Sequence, residues 1–492
     1  MLRSAVSRSH SFMTITYIIL FLYLAVLIAV GVWCSRRQSS IQDFFVAGRN
    51  MPAWAALAAI VATETSAVTF IGAPAQSFVD GGDFWFLQVV MGYILSRFVL
   101  SYYFLPKFFE HEIVTIYQFL GRRFGQEVQK TSGIFFFITR AMAAGVRHFA
   151  AAVVIQAMTG WDVVTAIIVT GIIAVLYSVM GGLAAVIWTE VIQFAVMMLG
   201  GIFVFFYLMN VVPGGLPTII EYGASANKFD VFHWTFSGKG FLLGLAGGFC
   251  LNLASHGADQ DLVQRLLSCR SLRSAQWSLI LSGGVVFLLF GFLLFVGVML
   301  SRFYEGALPD GVDKANEILP FFAMNEMPPA AGALVLAAIL SAAMSSTASA
   351  LNSLSSTTIS DFVLPSLKKE LCENCSSLLV LLSRTFTVLW MFVLVGIALV
   401  SSMMQENILD LALSIPSYTF GSLLAAFVLG IFTPLRNQRA VTIGMVVGVF
   451  AVVAVMLLGF HWTAWVPSGA ITSIIVALIL DALLPKQATQ TS

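Results

Sequence analysis

Charge is what this chain has least of. Only 10% of its 492 residues are Asp, Glu, Lys or Arg, against about 25% in a soluble domain. The formal net charge is +1, and no basic run interrupts the sequence, which removes nucleic acid as a partner. Five cysteines, Cys34, Cys250, Cys269, Cys372 and Cys375, imply no disulfide framework. Cys372 and Cys375 form a CxxC, but no second ligand pair lies near enough to complete a zinc site. They read as reduced thiols in a cytoplasmic loop. No HExxH motif or other convergent set of nucleophile, base and metal ligands is present, so an enzyme is not expected. No low-complexity or soluble signalling segment stands out, which leaves a solute sensor as a lesser alternative.

What is present is apolar length. Hydrophobic residues make up 59% of the chain, with 39 Gly and 42 Phe, a composition suited to closely packed membrane helices. Runs of spanning length predict an all-α polytopic membrane protein with about 13 helices. They fall near 12–34, 51–79, 83–106, 128–158, 162–180, 183–211, 239–267, 274–302, 330–362, 377–402, 406–432, 438–460 and 463–485. The first is too long for the apolar core of a signal peptide and reads as a retained helix. Residues 304–328 are expected to hold a short helix within an external loop. Basic residues cluster in alternate short loops: Arg36, Arg37 and Arg49, then Lys107, Arg122, Arg123 and Lys130, then Arg265, Arg270 and Arg273. Such loops face the cytoplasm, which puts the N-terminus outside and the C-terminus inside an inner (plasma) membrane. Arg3 and Arg8 oppose this and are outweighed.

The second run is the wrong composition for a lipid-facing helix. Thr63, Glu64, Thr65 and Ser66 sit at its middle. A carboxylate and loosened backbone at bilayer depth are tolerated only against a protein-lined or wet cavity. A helix broken at the midplane, lining a solute and ion site, is therefore expected. The seventh run has a matching interruption. Asn252, Ser255, His256 and Asp259 share one helical face there, and Gly247, Gly248 and Gly257 ease unwinding. For Asp259 and Asp261 the better reading is helix–helix hydrogen bonding, or a cytoplasmic helix end running from Asp259 to Arg265. Five helices apart and oppositely directed, the two interrupted helices follow the inverted-repeat pattern of secondary transporters. The repeats would cover 51–211 and 239–432, with the 12–34 helix before them and two helices, 438–485, after.

The ninth run carries a stripe of small polar residues: Ala342, Ser345, Ser346, Ser349, Ser353 and Ser356. Hydroxyls and freed carbonyls suit weak, reversible binding of a hard cation. A small-residue packing seam would look the same. Paired with carbonyls of Ala62 and Thr65 from the broken second helix, the stripe becomes a candidate sodium site. Other charges at membrane depth are Arg97, Arg140, Arg147 and Glu190. Arg147 is open to two roles, holding an anionic substrate or neutralising Glu64. Glu190 could attract a cation or pair with an arginine. His148 reads as packed.

These features resemble the sodium/solute symporter family, which includes sodium/glucose, sodium/proline and sodium/sialic acid cotransporters. The matching segments are Asp43-Phe44-Phe45-Val46-Ala47-Gly48-Arg49, Phe70-Ile71-Gly72, Met180-Gly181-Gly182-Leu183, Val186-Ile187-Trp188-Thr189-Glu190, Asp259-Gln260-Asp261-Leu262-Val263-Gln264-Arg265, Ala343-Met344-Ser345-Ser346 and Leu351-Asn352-Ser353. They run in order from about residue 40 to 430. The resemblance implies a leucine-transporter-like fold. It implies a sodium site from the carbonyls of Ala62, Thr65 and Ala342 and the hydroxyls of Ser345 and Ser346. It also implies a substrate site at Glu64, Ser66, Thr69, Gln88 and Asn252, with Ser255 and His256 close by; Arg147 is a further substrate candidate from its charge at membrane depth. Three positions depart from the pattern. Glu190 stands where the family usually has Asp after Trp-Thr. Ala348 stands where two-sodium members have another Ser, which makes one co-transported sodium the expectation and leaves Glu190 and Ser349 as second-sodium or release-path candidates. Ala143 stands where the sialic acid branch has a carboxylate-gripping Arg, and Arg147 lies one turn away.

The expected function is sodium-driven import of a small polar solute by alternating access, with a sugar or sugar derivative favoured. A small organic anion, an amino acid and proton coupling through Glu64 or Glu190 stay open. For a neutral solute, 100 mV contributes about 2.3 kcal/mol per sodium and a tenfold gradient about 1.4 kcal/mol. Membrane lipid and the two co-substrates are the only partners required, and no oligomer is needed.

Overall fold

A computed structural model describes residues 2–36, 40–111, 113–235, 239–366, 376–403 and 408–484. Cys372 and Cys375 lie outside these residues. Among those described, ten helices are long and apolar enough to cross a membrane. Two bent pairs, Ala53–Glu64 with Ala67–Phe78 and Phe241–Gly257 with Gln260–Leu267, each pass the same test together. A shorter apolar helix, Val163–Leu176, fills the remaining place of the thirteen expected.

The chain opens with α1 (Leu2–Ser35) and a short helix α2 (Ile41–Val46), which Ser40 and Asp43 cap reciprocally. Then come the halves of the second span, α3 (Ala53–Glu64) and α4 (Ala67–Phe78), with axes 61° apart. The cause is local. Thr65 and Ser66 leave helical geometry at ψ 70° and 170°. The last backbone bond of α3 runs from Thr65 N to Val61 O, and the ladder resumes from Phe70 N to Ser66 O, both 2.9 Å. The carbonyls of Ala62 to Thr65 fall between the two ladders and need other partners.

Next are α5 (Phe86–Val99), which continues through a π-helical turn into α6 (Leu105–Phe109), α7 (Tyr117–Phe124) and α8 (Gln126–Thr159). The fifth and sixth spans form one helix, α9 (Val163–Val211), capped by Asp162 and broken at Gly182, whose φ of 52° and ψ of −153° suit only glycine. The stretch that follows holds α10 (Gly215–Ser225). The seventh span comprises α11 (Phe241–Gly257) and α12 (Gln260–Leu267), again bent by 61°. The break falls at Ala258 and Asp259, and the Asp259 side chain caps α12 by accepting from Asp261 N at 2.9 Å.

Gly247 and Gly248, expected to ease unwinding, stay helical. Gly248 has another use. A Cβ there would lie 2.1 Å from Val89 O, and one on Gly92 would lie 2.3 Å from Leu245 O. Helices α5 and α11 thus touch backbone to backbone.

The remaining helices are α13 (Leu272–Phe303), α14 (Ile318–Asn325) where a short helix was expected, α15 (Pro329–Thr357), α16 (Ser376–Ser402), α17 (Ile408–Phe432), α18 (Gln438–Leu457) and α19 (Trp465–Leu483). Every residue of α15 from Val335 to Thr357 is buried, so its small side chains face protein all round and let neighbours approach closely. Helix α1 lies against α9 and α15 through Tyr23, Leu27, Ile167 and Leu340. The two bent spans start five spans apart and run oppositely. They open two inverted five-helix repeats, a leucine-transporter-like architecture.

Candidate functional site

A cavity of about 180 Å³ lies where the two breaks meet α8 and α17. Glu64, Ser66, Thr69, Arg147, Asn252, Ser255 and His256 line it, with Phe86, Tyr93, Phe290 and Phe420 supplying aromatic walls. Polar groups on a few aromatic surfaces suit a small hydroxylated solute. Gln88, the other expected substrate residue, is not among the lining residues. It is fully buried, its amide donates to Trp85 O at 3.2 Å and Lys239 O at 3.1 Å, and it accepts from His233 N at 3.1 Å. Its hydrogen-bonding capacity is spent on pinning the segment before α11 to the start of α5.

Glu64 is held by Arg97, not by Arg147. One Arg97 nitrogen donates to both carboxylate oxygens, at 2.5 and 2.6 Å, and another donates to Ser282 Oγ at 2.5 Å. Arg97 is fully buried. Asn252 Nδ2 donates to the same carboxylate at 3.3 Å, and His256 Nε2 lies 3.2 Å from it. Thr69 Oγ1 donates to the freed carbonyl of Glu64 at 3.3 Å, recovering one bond lost at the break. Arg147 is half-buried at the cavity wall and makes no ion pair among the described residues. Its neighbour His148 is packed, with Nε2 2.9 Å from Ile167 O.

On the far side of the break, α15 presents its polar stripe. Ser345 Oγ lies 3.4 Å from Ala62 O and 3.0 Å from Ala342 O. Thr65 Oγ1 and Ser346 Oγ are buried and have no hydrogen-bond partner among the described residues. Orphaned buried hydroxyls are costly; Thr65 lies in the break itself, and Ser346 follows the Ser345 whose hydroxyl reaches Ala62 O. An oxygen-only set of this kind fits a hard monovalent cation.

Glu190 and Ser349 do not join that set. They belong to a buried ladder of charge on the same side as α12. Arg265 donates to Glu190 through Nε at 3.0 Å and Nη2 at 2.5 Å, and to Ser349 Oγ at 2.5 Å. Arg265 Nη1 lies 3.4 Å from Asp261, and Arg140 bridges Asp261, at 2.9 Å, and Asp259. Thr63 Oγ1 donates to Glu190 at 3.0 Å, which ties the ladder to α3. Asp259 and Asp261, expected in helix–helix hydrogen bonds or at a cytoplasmic helix end, are buried in ion pairs instead. Arg140 as the shared partner was not foreseen, because residues 119 and 121 positions apart give no local signal.

Two spans broken at corresponding points of inverted repeats, around a central cavity that carries several polar groups, are the pattern of a secondary transporter. The model of the sodium:solute symporter family matches residues 44–448, and the chain belongs to that family. It is a sodium-coupled symporter of the membrane. It is 29% identical over 457 residues to the sodium/sialic acid symporter SiaT of Proteus mirabilis, covering 90% of each chain. It is 27% identical to the human sodium-coupled monocarboxylate transporter 1, covering 94% of this chain and 74% of the relative. A solved structure of a substrate-bound, outward-open sodium-coupled sialic acid symporter superposes with a TM-score of 0.87 at 26% identity, covering 96% of this chain and 98% of the other.

Proposed function

We propose that the protein imports a carboxylate-bearing polar solute, a sugar acid in preference to a simple acid, together with one sodium ion. The observation that carries this is Arg147, a guanidinium that makes no ion pair among the described residues and lies at the wall of the same cavity as Asn252, Ser255 and His256. A guanidinium in a protein stays charged, and its fork matches a carboxylate. The polar groups around it suit hydroxyls. Relatives named for sialic acid, an acidic sugar, and for monocarboxylates support the same class.

Sodium bound by the Ala62, Thr65 and Ala342 carbonyls and the Ser345 and Ser346 hydroxyls would bridge α3 to α15 and hold the outward-open state. Its loss to the cytoplasm would free both the helices and the substrate. The N-terminus lies outside and the C-terminus in the cytoplasm, with repeats over 51–211 and 239–432. Glu64 and Glu190 each sit in an arginine pair, which favours sodium over proton coupling.

The charge of the solute changes the energetics. One sodium and one monoanion carry no net charge, so the membrane potential contributes nothing. A tenfold sodium gradient alone then supports about tenfold accumulation. Uptake in proteoliposomes of sugar acids, monocarboxylates, neutral sugars and amino acids tests this. Sodium-dependent uptake of a sugar acid, unchanged by an imposed potential, is expected. Uptake of a neutral sugar with inward current, and none of the acids, would replace this reading with the neutral-solute one.

A further inference from the structure

A second cavity, of about 500 Å³, lies between the π-helical turn Leu100–Phe104 and the first turns of α13. Tyr102, Ser271, Arg273, Gln276 and Trp277 line it, and none of the lining residues is acidic. Gln276 Nε2 donates to Ser101 O at 2.8 Å, which ties the two walls together. Two basic residues close by in the chain are already engaged, Lys107 with Glu110 at 3.1 Å and Arg270 with Asn50 O at 3.0 Å. Arg273 is exposed, makes no ion pair among the described residues and gives the cavity its positive charge. Tyr102 and Trp277 are 63% and 52% exposed, so their rings face the bilayer as well as the cavity. The face that carries Trp277 continues along α13 as Leu281, Gly284 and Leu288, all exposed and at helical spacing. Nothing lies within 4 Å of the place a Cβ on Gly284 would take, so this apolar strip is notched. From Arg273 to Gly284 the axis advances about 16 Å, half of a hydrocarbon core of roughly 30 Å.

We infer that this groove binds one anionic phospholipid, with the phosphate on Arg273 and an acyl chain laid along Trp277, Leu281 and Gly284. Basic pockets between membrane helices hold such headgroups, and a guanidinium matches phosphate through its fork. A zwitterionic lipid is held less well, because its own cation comes up against Arg273. A free phosphate ester has nothing to lay in the notch. The lipid sits on the outer side of the seam between α5 and α13. On the buried side of that seam Arg97 reaches Ser282 at 2.5 Å and also holds Glu64. From the bilayer, then, the lipid braces the two helices that position the Glu64 carboxylate. The site depends neither on the identity of the solute nor on where sodium binds.

Native mass spectrometry of the purified, delipidated full chain tests this, with titrations of phosphatidylglycerol and phosphatidylcholine of the same acyl chains. The unaltered protein should hold one phosphatidylglycerol per chain about tenfold more tightly than phosphatidylcholine, and glycerol phosphate should not displace it. Arg273→Ala should weaken phosphatidylglycerol by about tenfold, the loss of a charge-assisted bond, and leave phosphatidylcholine unchanged. Arg273→Lys should fall between the two. Gly284→Leu should weaken the long-chain lipid by about fourfold for each methylene displaced and leave dihexanoyl phosphatidylglycerol unchanged. A Cβ at that position meets no protein atom within 4 Å, so this arm stands even where Arg273→Ala fails to fold. Equal binding of the two lipids, or equal binding by the unaltered protein and Arg273→Ala, would make the groove ordinary bilayer contact and overturn the assignment. Displacement by glycerol phosphate would overturn it in favour of a small-anion site, and a Gly284→Leu protein that binds the long-chain lipid as before would take the acyl chain out of the notch.

Discussion

Arg97 grips both oxygens of Glu64, at 2.5 and 2.6 Å, from a helix 33 residues further along the chain. The carboxylate that makes the second span so unusual in composition is thus already neutralised before any solute arrives. Its remaining contacts, to Asn252 and His256, aim it at the substrate cavity as an organiser of neutral donors.

Glu64→Gln should therefore do more than dull recognition. It strands a fully buried guanidinium, and breaking a buried pair typically costs about 3–5 kcal/mol. The expected result is a lower thermal midpoint together with lost uptake. Glu64→Gln with Arg97→Gln should recover much of the stability and none of the uptake. Intact uptake in the single variant would take Glu64 out of the site.

Ser346→Ala removes an orphaned hydroxyl beside the broken helix. A neutral oxygen ligand contributes on the scale of a hydrogen bond, about 0.5–1.5 kcal/mol, so half-saturating sodium should rise by up to about tenfold with little change in maximal rate. Sodium titration of uptake reads this directly. An unchanged sodium dependence would remove Ser346 as a ligand.

Arg147→Ala should raise the KM for an acidic substrate by about 10- to 100-fold, the loss of a charge-assisted bond worth about 1.5–3 kcal/mol. Sodium binding without substrate should be untouched. Arg147→Lys keeps the charge but loses the fork, and should fall between the two. Equal uptake by all three proteins would move the anchor elsewhere.

Lys228 supplies a prediction about motion. Its buried ammonium donates to the carbonyls of Ser77, Phe78 and Val79, at 2.9, 3.3 and 3.0 Å, closing the C-terminal end of α4. A cation there satisfies orphan carbonyls and complements the helix dipole. Lys228→Met should speed amide exchange over the last turn of α4 and its following loop, leaving α3 unchanged. Exchange rates equal to those of the unaltered protein would show that the cap is dispensable.

The elements most legible in the chain were those written in local composition. Thirteen apolar runs, the four polar residues at Thr63–Ser66 and the Ser stripe of α15 each carry their signal within one window. Gln88 and Arg97 were read less well for one shared reason. Both lie in an otherwise apolar run, and what distinguishes them is the partner: backbone at Trp85, Lys239 and His233 for Gln88, a carboxylate and Ser282 for Arg97. Periodicity marks such residues as costly to bury without saying what they meet. The same holds for Arg265, whose place among Glu190, Ser349 and Asp261 exists only once α9, α12 and α15 are packed together.

The glycine seam between α5 and α11 has a mechanical consequence. With Gly92 and Gly248 pressed against opposing backbone, those helices have no side-chain layer in which to slide past each other. Arg97 on one and Asn252 and His256 on the other form a single stiff plate, joined by the bond from Ser96 to Asn252 at 2.7 Å. Any rocking that exposes the cavity to one side of the membrane must carry that plate whole, moving it against Arg147 on α8. The solute would then be gripped from two separately moving parts, and its size would set how far the plate can swing.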